Sequence, residues 1–252
     1  MNRTFLLTCM TWIMFSSAFA QFIPECHNCT VVQGGIVRGD STQRKLHLVF
    51  TADEFGEGLP VIIQKLKQHN IHASFFFTGR FYRNPDFKAY IRQLKKDGHY
   101  LGPHSDAHLL YCDWTKRDSL LISRETFRED MFKNLRAMGL KVPLKKQRYY
   151  IPSYEWWNDS IAAWSREINL QVISFTPGVR TNADYTYPEM ASYKSSDWII
   201  QSVKDLLRKN PNALNGAIML IHAGTDPRRK DKLYDRLDEL VKLMEEEGIG
   251  WY

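Results

Sequence analysis

The stretch Leu46-His47-Leu48-Val49-Phe50-Thr51-Ala52-Asp53-Glu54-Phe55-Gly56 joins a short apolar run to two adjacent acidic residues and a glycine. An apolar run of this length, bounded by a turn signal, predicts a buried strand. The next residues, 58–70, carry apolar side chains at helical spacing. A strand followed directly by a helix is the building block of a parallel sheet.

The same alternation continues to the end of the chain. It predicts further strands at 73–77, 100–103, 149–151, 171–175 and 217–221, with a short terminal strand at 250–252. Predicted helices lie between them at 85–97, 123–138, 159–167, 196–209 and 232–247. Six or seven such units in series predict an α/β fold, a single (β/α)-barrel. An open doubly wound sheet is the alternative, but no glycine-rich phosphate loop follows the first strand.

The N-terminus predicts export. Arg3 precedes an apolar run from Phe5 to Phe15, and Ala18-Phe19-Ala20 supplies the small residues of a cleavage site. The run is too short to span a bilayer, so we expect no stable membrane anchor. Residues 1–20 are therefore interpreted as a signal peptide, 21–43 as an N-terminal arm and 44–252 as the barrel domain. Export would place the protein in the periplasm or outside the cell.

Composition limits the class of protein and its partners. The chain is 44% hydrophobic and 25% charged, as globular proteins are. Its formal net charge of +6 comes from dispersed basic residues, without the aromatic–basic pattern typical of nucleic-acid binding. We expect a monomer with no nucleic-acid partner. Export leaves three cysteines, Cys26, Cys29 and Cys112, so at least one thiol is unpaired, while Cys26 and Cys29 form a short-range disulfide or stay free.

Residues able to bind a metal follow three of the predicted strands. Asp53 and Glu54 follow the first, and two adjacent carboxylates repel each other unless a cation lies between them. His104 and His108 follow the third, and on one helical turn they would share a face and grip one ion. His222 follows the last long strand. Because active residues of a parallel barrel lie past the C-terminal ends of its strands, these three segments predict one site.

In these motifs the chain resembles the polysaccharide deacetylases with a NodB homology domain, carbohydrate esterase family 4. The family pattern is Thr-Phe-Asp-Asp-Gly, then His-Ser/Thr-x-x-His, then Leu-x-His, and the resemblance covers about residues 44–252. It implies a deformed (β/α)7 barrel of the NodB type. It also implies that Asp53 is the catalytic base, that His222 protonates the leaving group, and that Glu54, His104 and His108 bind one divalent metal ion.

That ion would polarise the acetyl carbonyl and acidify the attacking water. Two histidines and a carboxylate suit Zn²⁺ best, with Co²⁺, Ni²⁺ or Mn²⁺ as alternatives. The resemblance implies a hydrolase that removes N- or O-linked acetyl groups from a polysaccharide or oligosaccharide. Two other hypotheses stay open: a carbohydrate-binding pseudo-enzyme on the same barrel, and a different metal-dependent amidohydrolase.

The chain departs from the family pattern in three places. Glu54 stands where the family has aspartate, so its carboxylate is one methylene further out. In the family an arginine of the third motif steadies the base, but here residues 150–154 lack it, and Arg148 lies two residues earlier. The family's fourth motif supplies an aspartate that tunes the histidine, but residues 174–178 contain no carboxylate.

Five further residues are candidates for supporting roles. Ser153, Tyr154 and Trp156 lie in the segment that replaces the third motif, where aromatic rings can stack on sugars or simply pack. Asp106 lies inside the histidine motif and is a candidate for orienting His104 or His108, or for a plain turn. Asp184 is a candidate for the missing carboxylate partner of His222.

Overall fold

The computed structural model describes residues 28–252. The predicted signal peptide, the first part of the predicted arm and Cys26 lie outside the described residues. Within 28–252, no helix is both long enough and apolar enough to cross a membrane. Cys29 is disulfide-bonded, and Cys112 is a free, buried thiol.

The strands form a parallel barrel, as predicted. In chain order the strands are β1 (Thr30–Val32), β2 (Gly35–Arg38), β3 (Lys45–Ala52), β4 (Ser74–Phe77), β5 (Tyr100–Pro103), β6 (Arg148–Tyr150), β7 (Leu170–Val172), β8 (Ile218–His222) and β9 (Gly250–Trp251). β3 lies between β4 and β8, β4 pairs with β5, and β6 pairs with β7, all parallel. β9 pairs with the start of β3.

The helices cover the outside of the barrel. They are α1 (Leu59–Gln68), α2 (Gly79–Arg83), α3 (Lys88–Lys96), α4 (Arg124–Ala137), α5 (Asp159–Glu167), α6 (Ser196–Lys209) and α7 (Leu237–Glu246), with 3₁₀ turns at Pro85–Phe87, Ser153–Glu155, Arg180–Tyr185 and Leu233–Arg236. The predicted strands and helices are present with ends shifted by a few residues. The short helix α2 was not predicted.

Two irregular joins close the barrel and account for its deformation. Residues 30–38, which the sequence assigned to an arm, form an antiparallel hairpin. Its second strand fills the gap between β7 and β8 through bridges from Ile36 to Ile173 and from Arg38 to Ala217. On the opposite side, the side chain of Arg148 donates to the carbonyl of Leu101 at 2.6 Å and so ties β6 to β5.

A buried cation anchors the long segment between β7 and α6. The Arg229 side chain is fully buried and donates to the carbonyls of Thr186 (2.6 Å) and Lys194 (3.0 Å) and to the Ser196 hydroxyl (3.0 Å). Its Nε donates to the carbonyl of Asp231 at 3.0 Å. This segment is therefore held against the residues that follow β8, although it contains little regular structure.

We predict that Arg229→Met lowers the free energy of unfolding by about 3 kcal/mol or more, because the substitution leaves buried carbonyls without donors. Urea unfolding followed by circular dichroism measures the change. The neighbouring Lys230 is exposed, so Lys230→Met is the control and should change stability by about 0.5 kcal/mol or less. Equal midpoints for the two variants would contradict the anchoring role of Arg229.

Candidate functional site

Strand alternation directs one row of side chains from β3 and one from β8 into the barrel. Val49 and Leu220 belong to the small cluster inside the barrel, and successive inward positions along a strand are two residues apart. Thr51 therefore faces inward, in register with His222 of the neighbouring strand. The Thr51 hydroxyl is buried without a hydrogen-bond partner among the described residues. Asp53, two residues further on, reaches the same C-terminal rim.

A cavity of about 600 Å³ opens at this rim. It brings together all five residues predicted for catalysis and metal binding, and it also contains a set of aromatic side chains: Trp114, Tyr154, Trp156, Phe175, Tyr185 and Tyr187. The 3₁₀ turn Ser153–Glu155 contributes Glu155, and the segment between β7 and α6 contributes Met190. A mainly apolar cleft with a few convergent polar groups is typical of a ligand site.

Asp53 is paired with an arginine that the sequence analysis missed. Both carboxylate oxygens of Asp53 accept hydrogen bonds from Arg80, from Nε and from Nη2. Burial raises the pKa of Asp53, but the bonds from Arg80 and the nearby His108 ring outweigh it, so the pKa lies below its ordinary value. Asp53 is therefore a fixed carboxylate at neutral pH. The sequence feature that could have identified Arg80 is its place three positions after the second predicted strand, 73–77.

Arg80 reaches Asp53 because α2 packs tightly against the segment that follows β5. The Gly79 amide donates to the carbonyl of Ser105 at 3.0 Å, and the Arg80 amide donates to that of Asp106 at 3.2 Å. A Cβ on Gly79 would collide with the Asp106 carboxylate. A side chain at this position would force that carboxylate to shift, and the close approach brings the Arg80 guanidinium to Asp53, just past the end of β3.

His104 and His108 are brought together by a loop, which corrects the prediction of a helical turn. Residues 104–110 are not helical, and Ser105 and His108 have left-handed backbones, with φ of 69° and 55°. The centres of the two rings nevertheless lie 5.1 Å apart. Helix α4 holds the loop: Asn134 accepts from the His104 amide at 2.8 Å, and Asp130 accepts from the amides of residues 106 and 107.

Both rings are neutral at physiological pH. Burial lowers the pKa of His104 to about 3 and that of His108 to about 4. Nδ1 of His104 lies 2.8 Å from the carbonyl of Ile151, to which it donates, so Nε2 keeps its lone pair. Nδ1 of His108 lies 3.7 Å from Oδ2 of Asp53. Two neutral imidazoles in one cavity are suitable metal ligands.

His222 is hydrogen-bonded to Asp184, the carboxylate that the sequence analysis named as its candidate partner. Nδ1 of His222 lies 2.6 Å from Oδ1 of Asp184, and the His222 amide donates to Oδ2 at 2.9 Å. Asp184 is fully buried in the 3₁₀ turn Arg180–Tyr185. Burial lowers the pKa of His222, but the charges of Asp184 and Glu155 outweigh it, so the pKa lies above its ordinary value. The ring is thus poised to donate a proton.

Glu155 is the second functional candidate that the sequence analysis missed. Its carboxyl lines the cavity, and burial raises its pKa to about 7, with the His222 charge opposing that rise. Tyr154 and Glu155 both have left-handed backbones, with φ of 60° and 53°. Consecutive strained non-glycine residues are concentrated at functional sites, but the sequence carries no signal for this backbone shape.

The three predicted metal ligands are not gathered into a metal-binding group. Glu54 lines the cavity, but its side chain is 63% exposed, and its ion-pair partner is Arg80 at 3.8 Å. Within residues 28–252, no three His, Cys, Asp or Glu side chains are close enough to hold a metal ion. The neutral rings of His104 and His108 are suitable ligands for a divalent ion. The Glu54 carboxylate does not lie beside them. Arg80 instead offsets the repulsion between Asp53 and Glu54.

The supporting candidates separate into two groups. Tyr154 and Trp156 line the cavity, with the Tyr154 ring 4.3 Å from that of His108. Ser153 is buried outside the cavity lining, and its hydroxyl has no partner among the described residues. Asp106 pairs with Arg83 at 2.5 Å, so its ionic contact is with α2 rather than with either histidine.

We predict that Arg80→Met raises the pKa of Asp53, because it removes the hydrogen bonds that oppose burial. Carboxyl ¹³C NMR titration of the parent and the variant measures the shift. Arg83 lies on the same short helix but pairs with Asp106, so Arg83→Met is the control and should leave the Asp53 titration in place. An unchanged Asp53 pKa in Arg80→Met would show that Arg80 is not its partner in solution.

Three known proteins illustrate what this chain is similar to. A chitooligosaccharide deacetylase from a Bradyrhizobium strain is 24% identical over 222 residues, which cover 83% of this chain and 88% of the relative. A CE4 family pseudoenzyme from Bacillus anthracis superposes with a TM-score of 0.66 at 20% identity, covering 88% of this chain and 67% of that one. The chitin deacetylase from Colletotrichum lindemuthianum has a TM-score of 0.63 at 17% identity, with 88% and 90% covered.

These likenesses establish the barrel as that of the NodB-type deacetylases. The sequence profile described as polysaccharide deacetylase matches residues 39–173, more than half of the chain. The matched region contains the acidic pair after β3 and both histidines of the loop after β5. This chain therefore belongs to the polysaccharide deacetylase family.

Proposed function

We propose that the protein hydrolyses acetyl groups, N- or O-linked, from a polysaccharide or oligosaccharide. The observation that carries this proposal is the pair of oppositely tuned groups in one cavity. The pKa of Asp53 is lowered by its hydrogen bonds from Arg80, and the pKa of His222 is raised by the charge of Asp184. Two titratable groups whose environments push their pKa values apart are typical of a base and an acid that act in one reaction.

The proposed reaction uses these two groups in sequence. Asp53 accepts the proton of a water molecule as that water attacks the acetyl carbonyl, while Arg80 holds the carboxylate in one orientation. His222 then donates a proton to the departing nitrogen or oxygen of the sugar, and Asp184 fixes the ring and stabilises its charge. The Thr51 hydroxyl, buried and unpartnered among the described residues, is available to bind the water or the substrate.

We also propose that Glu54, His104 and His108 hold one divalent ion, Zn²⁺ or in its place Co²⁺, Ni²⁺ or Mn²⁺. The two neutral imidazoles support this proposal. The exposed Glu54 side chain argues against it, so no step of the proposed reaction is assigned to the ion.

A second candidate function is a carbohydrate-binding pseudo-enzyme on the same barrel. The observation in its favour is the incomplete ligand set, and a pseudoenzyme is among the similar structures. A different metal-dependent amidohydrolase is the third. The pairing of Asp53 with Arg80 and of His222 with Asp184 favours hydrolysis over binding alone.

The cellular setting is proposed from the sequence. We propose that residues 1–20 are removed on export and that the mature protein acts as a monomer in the periplasm or outside the cell. The predicted domain, residues 44–252, would form the catalytic unit together with the hairpin of residues 30–38 that closes the barrel. An acetylated glycan of the envelope or of the diet is the proposed substrate.

We predict that Asp53→Asn lowers acetate release by about a hundredfold or more, the usual effect of losing a positioned general base. Acetate is measured enzymatically with acetylated chitooligosaccharides, peptidoglycan and acetylated xylan. Elemental analysis of matched samples should show metal content unchanged in Asp53→Asn and reduced in His104→Ala.

Two results would count against this assignment. If Asp53→Asn keeps the parent's activity, the base lies elsewhere, and Glu155 is the next candidate. If the parent binds glycans but releases no acetate from any of them, the pseudo-enzyme is the better description.

We further predict that Asp184→Asn moves the alkaline limb of the pH–kcat/KM profile to lower pH. His222 must be protonated to act as the acid, so activity is present below its pKa and is lost as pH rises through it. Removing the Asp184 charge lowers that pKa. The control is Asp205→Asn, on the exposed face of α6. If the alkaline limb stays in place while the acid limb moves, His222 is not the proton donor.

A further inference from the structure

A second cleft, on the outside of the barrel, is lined mainly by cations. It lies between helices α2, α3 and α4 and has a volume of about 480 Å³. Its lining residues are Tyr82, Arg83, Lys88, Lys133, Arg136 and Ala137. None of them is acidic, and none of them lines the cavity that contains Asp53 and His222. We call this cleft the basic groove.

Three of the four cations in the basic groove have no ion-pair partner within residues 28–252. These are Lys88, Lys133 and Arg136, and all three residues are exposed. Arg83 is the exception, because its guanidinium pairs with Asp106 at 2.5 Å. A cleft lined by charges of one sign focuses their electric field and so attracts ions of the opposite sign. The charge of the groove is therefore available to an anion.

Helix α3 continues this positive charge beyond the groove. Lys88, Arg92 and Lys95 follow one another at spacings of four and three residues, so they share one face of the helix. All three are exposed, and α3 contains no acidic residue. On α4, Lys133 and Arg136 are three residues apart and also share a face. The row on α3 extends about 10 Å along the helix, which is longer than one small anion requires.

The arrangement of the cations favours phosphate over carboxylate. Side chains from three helices enter one groove, and a tetrahedral phosphate accepts hydrogen bonds from several directions, whereas a carboxylate accepts them mainly near one plane. Tyr82 is the aromatic residue of the groove, but it is 6% exposed and its hydroxyl donates to the carbonyl of Gly102 at 2.9 Å. The groove therefore offers no ring on which a nucleic-acid base could stack.

We propose that the basic groove binds a linear polymer of phosphate groups, with one phosphate among Lys88, Lys133 and Arg136 and further phosphates along α3. This site goes beyond the proposed deacetylase function and does not depend on it, because the two clefts share no lining residue. A polymer bound there would hold the protein in a phosphate-rich surrounding while the barrel cavity stays open to its own substrate.

Calorimetry of the purified protein with long-chain polyphosphate, inorganic phosphate and polygalacturonate tests the proposal. Inorganic phosphate is the single anion, and polygalacturonate is a polymer of carboxylates. We expect polyphosphate to bind about tenfold or more tightly than either, because several contacts form along one chain and phosphate suits the groove. Its affinity should fall as the salt concentration rises, since each phosphate contact releases counterions.

A double variant tests the groove itself. Lys88→Gln combined with Lys133→Gln should lose about tenfold or more of the polyphosphate affinity, about 1.4 kcal/mol, and should make the salt dependence shallower. The matched control is Lys204→Gln combined with Lys209→Gln, which removes the same charge from exposed positions on α6, outside the groove. The control should keep most of the parent's affinity. Urea midpoints of both variants separate loss of binding from loss of folding.

The proposal is overturned if the parent does not bind polyphosphate, or if inorganic phosphate or polygalacturonate binds as tightly. Equal losses in the two double variants would also overturn it, because net charge rather than the groove would then govern binding. Sedimentation with vesicles of phosphatidylglycerol and phosphatidylcholine is measured in parallel. If the vesicles bind the parent through Lys88 and Lys133 while polyphosphate does not, the surface docks on a membrane and the polymer proposal is wrong. None of these measurements requires acetate release, so a failure of the hydrolytic function would leave their outcome unchanged.

Discussion

The register of two neighbouring parallel strands is the constraint on which the rest of the site depends. Thr51 of β3 lies opposite His222 of β8, and the two-residue period of a strand fixes which side chains enter the barrel. A slip of one residue in either strand would direct Asp53 or His222 toward the helices. The buried apolar residues at inward positions below them resist such a slip. The chemistry at the rim is thus positioned by packing several residues beneath it.

Two charged partners at this rim come from segments other than those that the family resemblance implied. The carboxylate of Asp53 is held by Arg80, at the start of α2 after β4, and not by an arginine after β6. The ring of His222 is held by Asp184, in a 3₁₀ turn well beyond the end of β7. What the chemistry requires is a cation beside the base and an anion beside the acid. Any segment that reaches the rim can supply them, because the C-terminal ends of all parallel strands converge there.

The sequence predicted those features that depend on local pattern. Strand and helix positions followed from apolar periodicity, and Asp53, His104, His108 and His222 followed from their places at strand ends. Features that depend on how segments distant in sequence pack together were not predicted. Arg80 acts because Gly79 lets α2 approach the loop after β5, and the histidine loop is shaped by Asp130 and Asn134 from α4. Glu155 depends on a left-handed backbone that no residue pattern announces. Glu54 is the opposite case. Its place in the motif predicted a metal ligand, but its side chain is exposed and does not meet the two histidines.

The anchoring of the segment after β7 affects which residues of this barrel can change during evolution. Arg229 holds that segment chiefly through main-chain carbonyls, those of Thr186 and Lys194, which every amino acid possesses. Side chains along the segment, including Tyr187 and Met190 at the cavity, can therefore be exchanged without releasing the anchor. Relatives built in this way could acquire new glycan preferences by single substitutions while Asp184 stays beside its histidine. A buried arginine that holds main-chain atoms thus keeps the course of the segment while its side chains change.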